Sequence, residues 1–193
     1  ATYIVNDLRD RESDRNHPTK RMRPLASGAV APVPASLFSA ALLVLSLALA
    51  FHLNWAFLLS LLTYLALTAS YSFFLKDLFI VDVIAVALGF VVRAIAGAVV
   101  IDVVFSNWLI VCTLFLALFL GLGKRRGEIA LLEEDAADHR EVLHHYSIDF
   151  IDKMLIVVAG GAMITFTIYT CSPEVVSRIG TDKLYMTLPF VIY

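Results

Sequence analysis

Cysteine is nearly missing from this 193-residue chain. The two that occur, Cys112 and Cys171, fall inside or at the rim of apolar stretches, so neither a disulfide framework nor a cysteine zinc site is expected. Charge is also scarce: Asp, Glu, Lys and Arg make up 17% of the residues against 60% apolar ones, outside the usual balance of a soluble domain of this size. The cations are offset by carboxylates to a net charge of −2, so no nucleic-acid partner is expected. No positively charged segment leads into an apolar run at the start, which leaves no signal peptide to read. The chain opens Ala1-Thr2-Tyr3 without an initiator Met and stops inside an apolar segment at Tyr193. A longer protein, missing helices at both ends, is the expectation.

What the chain has in quantity is long apolar sequence. Windows run from Ala35 to Phe51, Trp55 to Tyr71, Phe79 to Ile101, Trp108 to Leu122 and Met154 to Tyr169, with a last one opening near Leu184. Several approach the ~20 residues that a bilayer requires. A soluble helical bundle would be left with no polar face to show to water. Leu, Ala, Val and Phe dominate the windows, which favours helices over barrel strands. The expected fold is all-α, a polytopic transmembrane helical bundle forming one domain over 1–193, with a cytoplasmic loop at 123–153 inside it.

Lys and Arg alternate between the polar segments as the positive-inside rule requires. Residues 9–23 carry Arg9, Arg11, Arg15, Lys20, Arg21 and Arg23, the next inner turn carries Lys76, and the segment after Leu122 carries Lys124, Arg125, Arg126, Arg140 and Lys153. The turns at His52 to Asn54 and at Asp102 to Asn107 hold no Lys or Arg, and the third outer turn has only Arg178 and Lys183. The charge clusters therefore face the cytoplasm of an inner cell membrane, where nucleotides, phosphosugars and magnesium are available.

The densest cluster lies at 6–24. If Tyr3 to Asp14 continues a helix, Asn6, Asp10 and Asp14 recur at i, i+4 and i+8 on one face, with Tyr3 a turn above. Carboxylates in that register repel unless a cation sits between them, and a hard divalent ion such as magnesium takes a few such oxygens and completes its shell with water and substrate phosphate. Asp7 and Glu12 lie off the stripe and read as salt-bridge partners. Pro18 and Pro24 frame a stiff turn that holds Lys20, Arg21 and Arg23 near the carboxylates, an arrangement suited to a diphosphate. His17 reads as a helix-terminal residue. The competing structural readings are a solvated loop of ion pairs and anchoring to anionic lipid headgroups.

A second polar set lies within hydrocarbon. Asp82 and Arg93, eleven residues apart, return to nearly the same helix face, while the ~16 Å between them prevents simple pairing. With Tyr71 and Lys76 they form a candidate second wall of one cavity; the alternative is a buried structural ion pair or snorkelling. Gly121 to Glu128 lacks the Walker spacing and a preceding strand, so nucleotide hydrolysis is unsupported. It offers Lys124, Arg125 and Arg126 at a helix end within reach of phosphate. Glu128 to Tyr146 reads as an amphipathic lid helix, with His139, His144 and His145 not counted as a metal site.

The pattern Asn6-Asp7-x-x-Asp10-x-x-x-Asp14-x-x-His17-Pro18-x-Lys20-x-x-Arg23-Pro24 resembles the first aspartate-rich motif of the UbiA superfamily of membrane prenyltransferases. Tyr71-Ser72-x-x-Leu75-Lys76, Arg93-Ala94-Ile95-Ala96-Gly97 and Gly123-Lys124-Arg125 with Glu128 are similar to its decaprenyl-phosphate phosphoribosyltransferase branch. The resemblance implies Asn6, Asp10 and Asp14 as magnesium ligands, with Asp10 and Asp14 at the centre of catalysis. It implies that Tyr3, Lys20, Arg23, Tyr71, Lys76, Asp82, Arg93, Lys124 and Arg125 bind substrate. The implied substrates are phosphoribosyl pyrophosphate and a polyprenyl phosphate. A second aspartate-rich motif is usual in superfamily members that use prenyl diphosphates; here only Asp77 and Asp82 remain, spaced by five, which favours a phosphoribosyl donor. The alternative is a UbiA-type enzyme moving a prenyl group from its diphosphate to an aromatic acceptor; a transporter built on the intramembrane charges is the non-enzymatic rival. A homo-oligomer is compatible with all of these.

Overall fold

The structure, a computed structural model, describes residues 1–16, 19–103, 105–132 and 146–189. The described residues are all-helical, as the apolar windows require. Two short helices, α1 (Thr2–Arg9) and α2 (Arg11–Asn16), precede a loop containing a single 3₁₀ turn, Lys20–Met22. Five long helices follow: α3 (Pro32–Leu53), α4 (Trp55–Phe73), α5 (Val81–Val100), α6 (Asn107–Leu132) and α7 (Ile148–Cys171). Each is long and apolar enough to cross a membrane. A short α8 (Pro173–Ile179) and a 3₁₀ turn at Leu184–Thr187 close the described chain. That last turn stands where a further apolar window opens, and residues 190–193 lie outside the described residues.

Local chemistry fixes the helix ends. Pro32 starts α3 with φ already suited to a helix. Asn54 ends α3 and caps α4, its Oδ1 accepting from the Ala56 N–H at 2.7 Å. Ser147 caps α7 through the Phe150 N–H at 3.1 Å, and Gly180 closes α8 in the left-handed region at φ 75°.

One boundary differs from expectation. The apolar window ending at Leu122 continues as helix to Leu132, so the polar connection is shorter than 123–153, and Ile148 to Lys153 belong to α7. Charge did not end α6 because Arg125 and Glu128 pair at i, i+3 along it at 2.7 Å. The expected lid helix over Glu128 to Tyr146, with its histidines, and also His17, fall largely outside the described residues.

Packing follows chain order: α3 on α4, α4 on α5, α5 on α6 and α6 on α7, with α1 against α3 and α4. Two close approaches set it. A Cβ at Gly161 of α7 would lie 2.6 Å from the Phe115 ring of α6, and one at Gly121 of α6 would lie 2.9 Å from Val83 of α5. Small residues at helix crossings are how membrane bundles gain van der Waals contact when lipid is as apolar as leucine. Val83, Leu122, Tyr146, Ile151 and Val158 form the buried core. Leu45, Ile156 and Val157 are more than half exposed, an outward face that suits acyl chains.

Candidate active site

The acidic stripe forms as its spacing predicts. Asp10 interrupts regular helix geometry between α1 and α2, yet its N–H still bonds to the Asn6 carbonyl at 2.9 Å and the Asp14 N–H to the Asp10 carbonyl at 2.7 Å. The side chains are held individually. Asn6 Nδ2 donates to Asp10 Oδ2 at 3.1 Å, and Ser72 Oγ donates to Asn6 Oδ1 at 3.3 Å. Lys76, in the 3₁₀ turn Leu75–Asp77 that follows α4, donates to Asp10 Oδ1 at 2.5 Å. Arg23 Nη1 bridges Asp7 at 2.8 Å and the buried Asp14 at 2.9 Å. Asp7 is thus an ion-pair partner, as its place off the stripe predicts.

Much of the surrounding positive charge builds the scaffold. Arg9 donates to the Phe73 carbonyl at the end of α4 and lies over the Phe73 ring. Arg11 and Arg15 donate to the carbonyls of Leu25 and Ala26, both buried at the core of the 23–30 loop. These bonds satisfy helix-end and loop carbonyls that would otherwise be exposed to a low-dielectric environment.

The acidic stripe and the remaining cations enclose a cavity of about 430 Å³. Tyr3, Asn6, Asp10 and Asp14 line it from α1 and α2, and Lys20 and Arg23 from the loop. Tyr71, Lys76, Arg93 and Lys124 line it from α4, the following turn, α5 and α6. The sequence-predicted residues therefore converge from seven segments, with two exceptions.

Asp82 and Arg125 do not line this cavity. Asp82 is fully buried, and its Oδ2 accepts from Arg125 Nε at 2.7 Å. Arg125, 4% exposed, also donates to Glu128 Oε2 at 2.7 Å and to the Tyr71 hydroxyl at 3.3 Å. The expectation that both bind substrate gives way to a buried ion pair between α5 and α6. Either charge alone inside the bundle would be strongly destabilising, so each stays with the other. Arg93 is too far along α5 to join Asp82; it stacks over Phe90 at 4.3 Å and Tyr64 at 5.4 Å instead.

Among the lining residues to which sequence reasoning gave no site role are Tyr64, Ser72, Asp77 and Glu128. Ser72 and Glu128 stand inside recognised motifs, a signal that could have found them. Tyr146 was missed too: its hydroxyl donates to Asp82 Oδ1 at 2.6 Å and accepts from the Ile80 N–H at 2.9 Å. Burial first, then the bond and charge of Asp82, hold this phenol well above its ordinary range, so it remains a donor at neutral pH.

The oxygens present fit magnesium in kind. Among the described residues no three His, Cys, Asp or Glu side chains group tightly enough to hold a metal alone. Asn6 and the Asp10 carboxylate stand together, with Asn6 Nδ2 toward Asp10 and Oδ1 toward Ser72, so a turn of the amide brings its oxygen beside the carboxylate; Asp14 lies one turn further on, bound to Arg23. One or two carboxylates, completed by water and substrate phosphate, is the habit of magnesium.

Residues 1–188 match the UbiA prenyltransferase family. The decaprenyl-phosphate phosphoribosyltransferase of Mycolicibacterium smegmatis is 34% identical over 174 residues, which is 90% of this chain and 55% of that protein. The protein of the same name from Mycobacterium tuberculosis H37Rv is 39% identical over 151 residues, 78% of this chain and 50% of that protein. The chain spans about half the length of these relatives. A solved UbiA homolog from Archaeoglobus fulgidus, bound to GPP and Mg²⁺, superposes with a TM-score of 0.77 at 23% identity, over 99% of this chain and 66% of that one. The fold is shared with it.

Proposed function

We propose, of a chain that belongs to the UbiA prenyltransferase family, that it forms the site of a membrane transferase. The reaction moves 5-phosphoribosyl from phosphoribosyl pyrophosphate to a polyprenyl phosphate and releases pyrophosphate. The observation that carries this reading is the distribution of charge around the cavity wall, where five cations stand among five carboxylates. One acidic stripe, Asn6 to Asp14, faces cations from four separate segments, Lys20, Lys76, Arg93 and Lys124. Cations brought in from separate sides of one cavity suit two phosphorylated substrates held together. The 34% and 39% identity to phosphoribosyltransferases points the same way.

In this reading an oxygen of the polyprenyl phosphate attacks C1 of the phosphoribosyl group. A C–O bond forms there, the C1–O bond to pyrophosphate breaks, and pyrophosphate leaves with the bonding pair. The acceptor is already ionised, so no strong general base is needed. Asn6 and Asp10 would hold magnesium, which when bound supplies neutralising charge to the diphosphate. Lys76 is placed to pass from Asp10 to substrate oxygen when a divalent ion takes over its charge. Lys20 and Lys124 meet phosphate from the cytoplasmic rim, and Arg93 from the deeper end. The work of the site is placement and charge neutralisation. The charge pattern of the loops supports a site at the cytoplasmic face.

The test is donor identity. Full-length protein in lipid, supplied with magnesium, polyprenyl phosphate and ribose-labelled phosphoribosyl pyrophosphate, is expected to move label into the lipid phase. Transfer only from a prenyl diphosphate to an aromatic acceptor would replace this reading with the other UbiA chemistry.

A further inference from the structure

A chain of hydrogen bonds connects the entry of α7 to the cavity wall. Tyr146 stands immediately before α7, with its hydroxyl between the Ile80 N–H at 2.9 Å and Asp82 Oδ1 at 2.6 Å. Asp82 Oδ2 takes Arg125 Nε, and the rest of the Arg125 fork reaches Glu128 and Tyr71. Tyr146, Asp82 and Arg125 are buried, whereas Glu128 and Tyr71 line the cavity. A planar guanidinium anchored at one edge can present its other donors in only one orientation. Whatever fixes Asp82 therefore sets the direction in which Arg125 holds Glu128 and Tyr71.

The same hydroxyl braces a second support. Ile80 has φ 66°, a left-handed conformation that a β-branched residue adopts only under external constraint. The turn it makes joins α5 to the 3₁₀ turn Leu75–Asp77, which carries Lys76 to Asp10.

We propose that Tyr146 is a positioning residue for the transfer reaction. Through Asp82 it orients Arg125, and so Glu128 and Tyr71. Through the Ile80 turn it places Lys76. The inference rests on the transferase reading above, although Tyr146 itself touches neither substrate nor metal in it.

Tyr146→Phe is the direct test, because the ring keeps its packing on Phe79 at 4.7 Å and loses only the oxygen. The companion is the double variant Ile80→Gly/Tyr146→Phe. Glycine accepts φ 66° without strain, so the turn no longer needs the hydroxyl for folding while Asp82 still lacks its donor. Both are made in full-length protein and compared with wild type by melting temperature, turnover and calorimetric affinity for magnesium pyrophosphate. Expected in both variants, assayed at a temperature where each is fully folded, is a turnover at least tenfold lower and a magnesium pyrophosphate affinity at least fivefold weaker. Turnover and affinity both within twofold of wild type would overturn the proposal. If wild type turns over neither phosphoribosyl pyrophosphate nor a prenyl diphosphate, the transferase reading is what fails. Affinity then decides alone: a fivefold loss upholds the positioning role, and a change within twofold overturns it.

Discussion

Lys76 Nζ and Asp10 Oδ1 meet at 2.5 Å across 66 positions of sequence, with side chains 16% and 24% exposed. The pair joins the acidic stripe to the turn after α4 and offsets the charge of Asp10. A divalent ion at Asp10 would displace this ammonium toward the cavity, where phosphate oxygens need it. Lys76→Met is expected to lower turnover by roughly 10²-fold, in line with the loss of one preorganised donor. Its magnesium affinity should be equal to or tighter than that of wild type, because a competing cation is gone. Metal titration alongside steady-state kinetics checks both.

Chelation should separate activity from folding. Lys76 pairs with Asp10 and Arg23 bridges Asp7 and Asp14, which leaves one net negative charge among the three carboxylates, too little repulsion to unfold the bundle. Excess EDTA is expected to abolish turnover while the protein keeps its helical circular dichroism and a cooperative melt. Loss of the folded signal on chelation would count against the ion pairs seen here.

Arg93 depends on shape as well as charge. It lies 4.3 Å over Phe90 and 5.4 Å over Tyr64, a stack worth about 0.5 to 2 kcal/mol that an ammonium does not reproduce with the same geometry. Arg93→Lys is therefore expected to raise KM for one phosphorylated substrate by about 3- to 30-fold, though the charge is kept. Kinetics with each substrate varied in turn will show which phosphate it serves.

Adjacent glycines in α7 should behave oppositely. A Cβ at Gly161 would meet Phe115 at 2.6 Å, while one at Gly160 meets nothing within 4 Å. Gly161→Ala is expected to destabilise by about 1 to 3 kcal/mol through overpacking, and Gly160→Ala to be neutral or slightly stabilising. Melting temperatures in one detergent give the comparison.

The long helices were legible because a bilayer sets a minimum apolar length, and the windows at 35–51, 55–71 and 79–101 each lie within or close to a helix. The end of α6 was not, because Lys124 to Arg126 read as loop charge until Glu128 is seen pairing along the helix. The acidic stripe was legible for a different reason, the fixed helical period that sets Asn6, Asp10 and Asp14 on one face. The fates of Asp82 and Arg125 were not: they are 43 residues apart, on different helices, and nothing local distinguishes a buried pair from two cavity charges. Tyr146 was hidden by the same distance, 64 residues from Asp82.

The most direct measurement is pyrophosphate release by the full-length protein in lipid with magnesium and phosphoribosyl pyrophosphate, with and without polyprenyl phosphate, for wild type and Asp10→Asn. The account predicts release that needs the lipid acceptor and falls to background in Asp10→Asn. Acceptor-independent release, or an Asp10→Asn rate equal to wild type, would contradict it.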